Sequence, residues 1–120
     1  MTEQQKLLDF ENLAFITMYE GTPVEKVIAQ LKFDDFMISV VANSGNGDGL
    51  YGHVDKNEFE ILMTFKGVNI PLAVCGDVLG WQSPAQISKH MRDAQLNGFV
   101  WVDLLRKVKA DYDKELGLDD

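Results

Sequence analysis

The chain has 120 residues, of which 46% are hydrophobic and 25% are charged, a balance typical of a folded globular protein rather than of a disordered one. Nineteen acidic residues against eleven basic ones give a net charge of −8, which disfavours binding to nucleic acid or to an anionic membrane, because each phosphate contact needs a cation. The simpler interpretation is that the negative charge keeps the protein soluble. The alternative is that the acidic surface binds a basic partner.

A single cysteine, Cys75, excludes an internal disulfide bond. Its apolar neighbours predict a buried thiol, which favours a reducing compartment. Residues 1–6 lack the layout of a secretory signal, and no apolar run approaches the length that a membrane-spanning helix needs. We therefore expect a cytoplasmic protein with one domain over residues 1–120, no membrane association and frayed residues at 117–120.

The first third of the chain predicts two helices. In residues 3–20 apolar side chains recur at spacings of three and four, as on one face of a helix: Leu7, Leu8, Ala14, Phe15 and Met18. Gly21 suits the end of that helix, and residues 22–25, Thr-Pro-Val-Glu, have the letters of a capping box with proline at the first helical position. The pattern predicts a second helix over residues 23–32.

The middle of the chain predicts strands. Residues 36–42 are rich in β-branched and aromatic side chains, and residues 58–65 alternate between apolar and mostly polar positions. The glycine-rich residues 43–49 predict a hairpin loop, and residues 50–54 after it predict the returning strand. Residues 70–74 add a short further strand. A meander of three or four antiparallel strands results.

The last third predicts helices again. Residues 83–86, Ser-Pro-Ala-Gln, repeat the capping-box pattern, and Asn97 and Gly98 end the helix that it begins. A last helix carries apolar residues at helical spacing: Trp101, Leu104, Leu105, Val108 and Tyr112. The predicted class is α+β, with the meander packed against flanking helices in the order α-α-β-β-β-(β)-α-α.

The stretch from Gly47 to Gly52 matches the letters of a dinucleotide-binding loop, Gly-x-Gly-x-x-Gly. That loop needs the N-terminus of a helix directly after it, whereas a strand pattern follows here, so we interpret the stretch as a hairpin loop. A calcium loop would need a carboxylate where this chain has Ser44 and a glutamate where it has Asp55. At most a weak cation site that uses Asp48 and Asp55 remains.

The histidines predict no zinc site. His53 and His90 are far apart in the sequence, and we interpret both as surface or hydrogen-bonding residues. A nucleophilic Cys75 activated by a histidine is disfavoured, because apolar surroundings make a thiol unreactive. The sequence therefore predicts no catalytic residue, no metal site and no cofactor, and we expect a protein that is not an enzyme.

Residues 78–96 have the letters of the turn and second helix of a helix-turn-helix motif, and they contain the cations Lys89 and Arg92. A regulator that binds DNA through this segment is therefore an alternative function. Two cations are few, since a typical DNA-binding protein makes about 6 to 10 phosphate contacts.

Two resemblances to known families involve the same region. The stretch Asp77 to Trp81, led into by a strand, is similar to one in the amino-terminal domain of Bro-type phage antirepressors. Together with Tyr51-Gly52 and Phe59-Glu60, residues 77–84 resemble a pattern found in small uncharacterised phage-encoded α+β proteins. The second resemblance implies a fold and a phage or prophage origin, and it implies no reaction.

We therefore predict a non-enzymatic acidic accessory protein that acts by binding a protein partner. An acidic inhibitor that occupies the nucleic-acid-binding groove of a partner is the first alternative, and the DNA-binding regulator is the second. Aromatic side chains commonly anchor binding surfaces. The predicted partner surface combines aromatic and charged residues: Tyr51, Asp55, Glu58, Glu60, Trp81, Lys89 and Arg92.

Overall fold

A computed structural model describes residues 7–46, 50–73 and 76–117, which form an antiparallel sheet with two helices on one of its faces. The strands are β1 (Ile16–Met18), β2 (Lys26–Phe33), β3 (Phe36–Asn43), β4 (Phe59–Phe65), β5 (Val68–Asn69) and β6 (Leu79–Gln82). The helices are α1 (Pro84–Asn97) and α2 (Phe99–Glu115), and short 3₁₀ turns lie at Phe10–Asn12 and Val54–Lys56. The α+β class is confirmed.

The sheet has the order β1-β2-β3-β4-β5, and β6 pairs with β4 on the same edge as β5. β2 and β3 pair along their whole length through a tight turn at residues 34–35. β5 pairs with the end of β4, where Phe65 opposes Val68, and β6 pairs with its beginning, where Phe59 opposes Gln82. β4 therefore has a different neighbour at each of its ends.

The predicted order is wrong in the first third of the chain. No α-helix lies in residues 7–33, where the structure has a 3₁₀ turn and strands β1 and β2 instead. Residues 3–6 of the first predicted helix lie outside the described residues. In β2, alternate side chains face the core: Val27, Ala29, Leu31 and Phe33. Such a short apolar run satisfies a period of two as well as a helical one, and pairing with β3 decides between them.

The pattern at residues 22–25 closes a turn and caps no helix. The Thr22 hydroxyl donates to the carbonyl of Tyr19 at 2.7 Å, and the N–H of Gly21 donates to the Glu25 carboxylate at 3.0 Å. The bond from Gly21 lowers the pKa of Glu25. Threonine and glutamate make the same kinds of bond to backbone groups in turns as in caps, so the letters alone do not distinguish the two.

The meander is partly confirmed. β3 and β4 lie where residues 36–42 and 58–65 predict strands, and the turn at Lys66–Gly67 leads into β5. Residues 50–54 are not a strand, because only His53 bridges to neighbouring chain, at Asn43 and Glu58. The strand predicted at 70–74 is not formed in residues 70–73. Residues 74–75, with the predicted buried thiol of Cys75, lie outside the described residues, as do 47–49 and 118–120.

The residues before α1 form a strand, β6, that the sequence did not predict. Because residues 79–82 are extended and paired with β4, they do not supply the turn of a helix-turn-helix motif. The predicted helix-turn-helix over residues 78–96 is therefore wrong as a structure.

The core lies between the sheet and the helices. Its centre is fully buried and joins alternate residues of β3 and β4 to one face of α1: Ile38, Val40, Ile61, Met63, Ile87 and Met91. Trp101 and Val102 bring the first turns of α2 onto the same core. The N-terminal segment is attached to α1 by the amide group of Gln95, which bonds both backbone groups of Leu8 at 2.7 and 2.8 Å. α1 thus anchors the segment around Leu8 to the rest of the fold.

The second capping box is confirmed at the start of α1. The Ser83 hydroxyl accepts from the N–H of Gln86 at 3.2 Å, and the side chain of Gln86 accepts from the N–H of Ser83 at 2.8 Å. Gly98, with a φ of 53°, separates α1 from α2. Within the described residues, no helix is long and apolar enough to cross a membrane, and the cytoplasmic location stays a prediction.

Alanine at Ser83 and at Thr22 should change the free energy of unfolding by different amounts, because Ser83 caps a helix and Thr22 closes a turn. We expect Ser83→Ala to lower the free energy of unfolding by about 1 kcal/mol, because two N–H groups at the start of α1 lose the geometry that satisfies them. Thr22→Ala should cost clearly less, because Thr22 is exposed and bonds one carbonyl in a turn. Urea unfolding followed by circular dichroism measures both values, and equal losses would contradict the assignment.

Candidate functional site

Two of the residues predicted to bind a partner meet at one end of β4. The backbone N–H of Trp81 donates to the carbonyl of Tyr51 at 2.7 Å, which ties the loop after β3 to β6. A Cβ atom at Gly80 would collide with the Cβ of Tyr51, so glycine is what lets the tyrosine cross over the strand. Both side chains are open to solvent, since Tyr51 is 61% exposed and Trp81 is 47% exposed.

A lysine completes this aromatic surface. The Lys56 ammonium lies 5.6 Å from the centroid of the Trp81 ring, within the range of a cation–π contact. Lys56 ends the 3₁₀ turn that follows Tyr51 in the chain, and Asn57, with a φ of 53°, then reverses the chain into β4. We call these three residues, Tyr51, Lys56 and Trp81, the aromatic platform.

The backbone of Trp81 is in the left-handed region, with a φ of 55°. The other described non-glycine residues with a positive φ lie outside strands, in turns or at the end of a 3₁₀ turn: Tyr19, Asp34, Asn57 and Lys66. Trp81 lies within β6, where the pairing with β4 shifts register between Phe59 and Ile61. A bulky residue pays about 1 to 3 kcal/mol for this conformation, which points the side chain differently from that of a regular strand.

His53 fixes the loop beneath the platform. Its Nδ1 accepts from the N–H of Asp55 at 3.1 Å, and its Nε2 lies 3.1 Å from the carbonyl of Gly45. The two contacts together assign the proton to Nε2, because a backbone N–H can only donate and a carbonyl can only accept. His53 is therefore a hydrogen-bonding residue, as the sequence predicted, and both of its nitrogens are occupied.

His90 holds α1 against β6. Its Nε2 lies 3.2 Å from the side-chain oxygen of Gln82, the residue that follows Trp81. Burial lowers the pKa of His90; nearby Asp93 opposes that shift and Lys89 adds to it. The neutral ring is thus the form that the fold favours, in agreement with a hydrogen-bonding histidine.

The acidic residues predicted for the partner surface lie around the platform with different roles. The Glu60 carboxylate accepts from the N–H of Tyr51 at 3.2 Å, so it helps to position that residue. Glu58 donates its backbone N–H to the carbonyl of His53 at 3.3 Å. The side chain of Asp55 is 87% exposed and lies at the rim.

The two predicted cations are not part of this site. Lys89 and Arg92 are exposed on α1, and within the described part of the chain neither makes a hydrogen bond, ion pair or cation–π contact with Tyr51 or Trp81. Lys89 pairs with Asp93 one turn along the helix, at 3.0 Å. Lys56, which belongs to the platform, was missed, because a single lysine in a polar stretch carries no sequence signal.

The described residues contain no cluster of three or more histidine, cysteine, aspartate or glutamate side chains that could hold a metal ion. Asp48, one half of the weak cation site considered from the sequence, lies outside the described residues. The stretch with the letters of a dinucleotide-binding loop includes residues 47–49, which also lie outside the described residues. What the described site offers is aromatic surface with a cation above it and carboxylates beside it.

Comparison of the chain with known protein families, with curated proteins and with solved structures found no match. The resemblances to phage-encoded proteins and to antirepressors therefore stay predictions. The function has to be inferred from the geometry of the chain itself.

The strain at Trp81 can be measured by comparing glycine with alanine at that position. We expect Trp81→Gly to be more stable than Trp81→Ala by about 1 kcal/mol, because only glycine adopts a positive φ without steric cost. Gln30, an exposed residue of β2, is the matched control, and there alanine should be the more stable of the two. Chemical unfolding of the four variants measures the differences, and the same sign at both positions would contradict strain at Trp81.

The neutral His90 should make stability depend on pH. The pKa of His90 in the fold lies below its ordinary value of 6.5, so the unfolded chain binds a proton more readily than the folded chain. The free energy of unfolding should therefore fall as the pH is lowered through 6.5 and towards the lower folded value. His90→Gln should flatten this dependence, as measured by urea unfolding at a series of pH values. An unchanged slope in that variant would contradict the assignment.

Proposed function

We propose that this chain is a non-enzymatic protein-binding module whose aromatic platform forms the recognition surface. The observation that carries the proposal is the exposed Trp81, held in a left-handed conformation within a strand. The expectation that the protein is not an enzyme belongs to the same proposal.

The strain at Trp81 has no evident use inside the fold. A buried tryptophan stabilises the fold by its own packing, as Trp101 does in a regular helix against Phe36. Trp81 instead leaves almost half of its surface in water. Strained residues of this kind concentrate at functional sites, where the constraint presents a side chain in advance of binding. A partner that covers the ring would supply the missing burial.

The composition of the platform suits a protein partner. Tryptophan and tyrosine are enriched among the residues that contribute most to protein–protein affinity, because they bury a large area with few rotatable bonds. The Lys56 ammonium restricts the Trp81 ring, and the Glu60 carboxylate fixes the backbone of Tyr51 by accepting from its N–H. The exposed Asp55 places negative charge at the rim. We infer a partner with an apolar pocket bordered by basic residues.

Alanine substitutions at the platform should weaken recognition without unfolding the chain. We expect Trp81→Ala to weaken capture of the partner at least about 30-fold and Tyr51→Ala about 10-fold, the range of residues that dominate an interface. Quantitative affinity capture from a bacterial lysate, with the captured proteins compared by mass spectrometry between variants, measures the loss. Circular dichroism checks that each variant is folded.

Tyr19 offers a matched control. It is 58% exposed, has a φ of 56° and lies under the ammonium of Lys26 at 5.6 Å, so it shares the properties of Trp81. It follows β1, on the opposite side of the sheet from β6, about 19 Å away at the usual spacing of strands. Tyr19→Ala should leave capture unchanged. Equal losses in Tyr19→Ala and Trp81→Ala, or no loss in either platform variant, would contradict the proposal.

The dependence on salt separates this proposal from the acidic inhibitor. Recognition by aromatic burial should weaken only slightly between low and high ionic strength, because it depends little on charge. An inhibitor that imitates nucleic acid should lose affinity steeply over the same range and should tolerate Trp81→Ala. A steep loss of affinity with salt, together with unchanged binding of Trp81→Ala, would favour the inhibitor and contradict recognition by the platform.

A further inference from the structure

A cavity of about 450 Å³ lies between the β4–β5 turn and the first half of α2. Five residues line it: Phe65, Lys66, Val68, Phe99 and Arg106. Its volume falls within the range of pockets that bind small molecules, roughly 300 to 1,000 Å³. It is at the other end of β4 from the aromatic platform, about 20 Å away over the length of the strand.

Two glycines, Gly67 and Gly98, allow the chain reversals that form the walls of the cavity. Lys66 and Gly67 both have a positive φ, 52° and 79°, as in a tight type I′ turn, which folds Val68 back beside Phe65. Gly98 ends α1 and starts α2 at once, which places Phe99 opposite the turn. The rings of Phe65 and Phe99 are 5.8 Å apart. Phe65 also contacts the buried ring of Phe36 at 5.0 Å, so the floor of the cavity rests on the core.

The apolar side chains of the cavity are incompletely covered. Phe99 is 53% exposed and Val68 is 58% exposed, although both adjoin a floor that is continuous with the core. A ligand that covers this apolar surface removes it from water, which makes binding favourable.

Two cations border this apolar floor without an acidic partner. The Lys66 ammonium lies 5.5 Å from the centroid of the Phe65 ring. Arg106 is half-buried, and within the described residues no carboxylate lies close enough to pair with it or with Lys66. By contrast, Lys89 and Lys109 each pair with an aspartate one turn along their helix, at 3.0 Å.

We propose that this cavity binds an apolar carboxylate, that is, an aromatic or aliphatic group that ends in a single carboxylate. The apolar part would cover Phe65, Val68 and Phe99, and the carboxylate would accept hydrogen bonds from Arg106 and attract the Lys66 ammonium. A free acid and the C-terminal residue of a peptide both have this chemistry. The proposal involves a different surface from the aromatic platform and does not depend on the function proposed there.

Titration with matched acids and amides tests the proposal. The probes are phenylpropionate and an acetylated dipeptide that ends in phenylalanine, each beside its neutral amide, and the readout is the shift of backbone amide NMR signals at low ionic strength. We expect saturable shifts in residues 65–68 and 99–106 with an acid, and at least about tenfold weaker binding of its amide, because bonds to charged groups contribute most. The acid that binds more tightly identifies the source of the ligand.

The two arginines of the chain provide a variant and its control. Arg106→Gln should weaken binding of the acid at least about tenfold and leave binding of the amide unchanged, because only the charged contact is lost. Arg92→Gln removes the same charge from an exposed position on α1 and should change neither. Lys66→Gln, a substitution in the turn, gives a second variant with the same expected direction.

Three results would overturn the proposal. They are the absence of saturable shifts with both acids, equal binding of acids and amides, and equal effects of Arg106→Gln and Arg92→Gln. Partner capture by the platform is measured separately, so its outcome leaves this test unaffected. The unfolding midpoint of each variant shows that a loss of binding is not a loss of fold.

Discussion

The fold depends on the pairing of β3 with a strand on each side. β3 exchanges backbone hydrogen bonds with β2 along its whole length and with β4 along most of it, so its alternate side chains are held in one row. That row, Phe36, Ile38, Val40 and Ala42, is buried, and α1 packs against it through Ile87 and Met91. A shift of one residue in either register would turn the row towards solvent, which makes the register the central constraint of the structure.

The position of β4 next to β3 determines where both surfaces lie. β5 and β6 share the outer edge of β4, one at each end, and each brings a different segment to the surface. At the beginning of β4, β6 presents Trp81 beside Tyr51 and continues directly into α1 through Ser83. At the end of β4, the turn into β5 presents Lys66 opposite the start of α2. Because both surfaces rest on one strand, the core positions them without a hinge between them.

The basic residues are few, and several lie over aromatic rings at the surface. Lys26, Lys56 and Lys66 each lie between 5.5 and 5.6 Å from the centroid of an exposed or half-buried ring. Such contacts keep an ammonium in water while its stem covers apolar surface, so they suit residues that are to remain accessible. The two lysine–aspartate pairs lie instead within α1 and α2, each joining side chains one turn apart. Three lysines are thus held at aromatic surfaces while their ammonium groups stay accessible.

The sequence alone determined the elements whose signals are local. Ser83 and Gln86 predicted the start of α1, and the alternation in residues 58–65 predicted β4, because caps and alternation involve neighbouring residues. Residues 22–25 had similar letters, yet they close a turn, since pairing of β2 with β3 outweighs helical spacing in so short a run. Tyr51 and Trp81 were predicted for one partner surface, but the contact of Lys56 with Trp81 and the cavity between Phe65 and Arg106 could not be predicted, because these residues are distant in the chain. Only the register of β4 with its neighbours, and the packing of α2 on the core, brings them together.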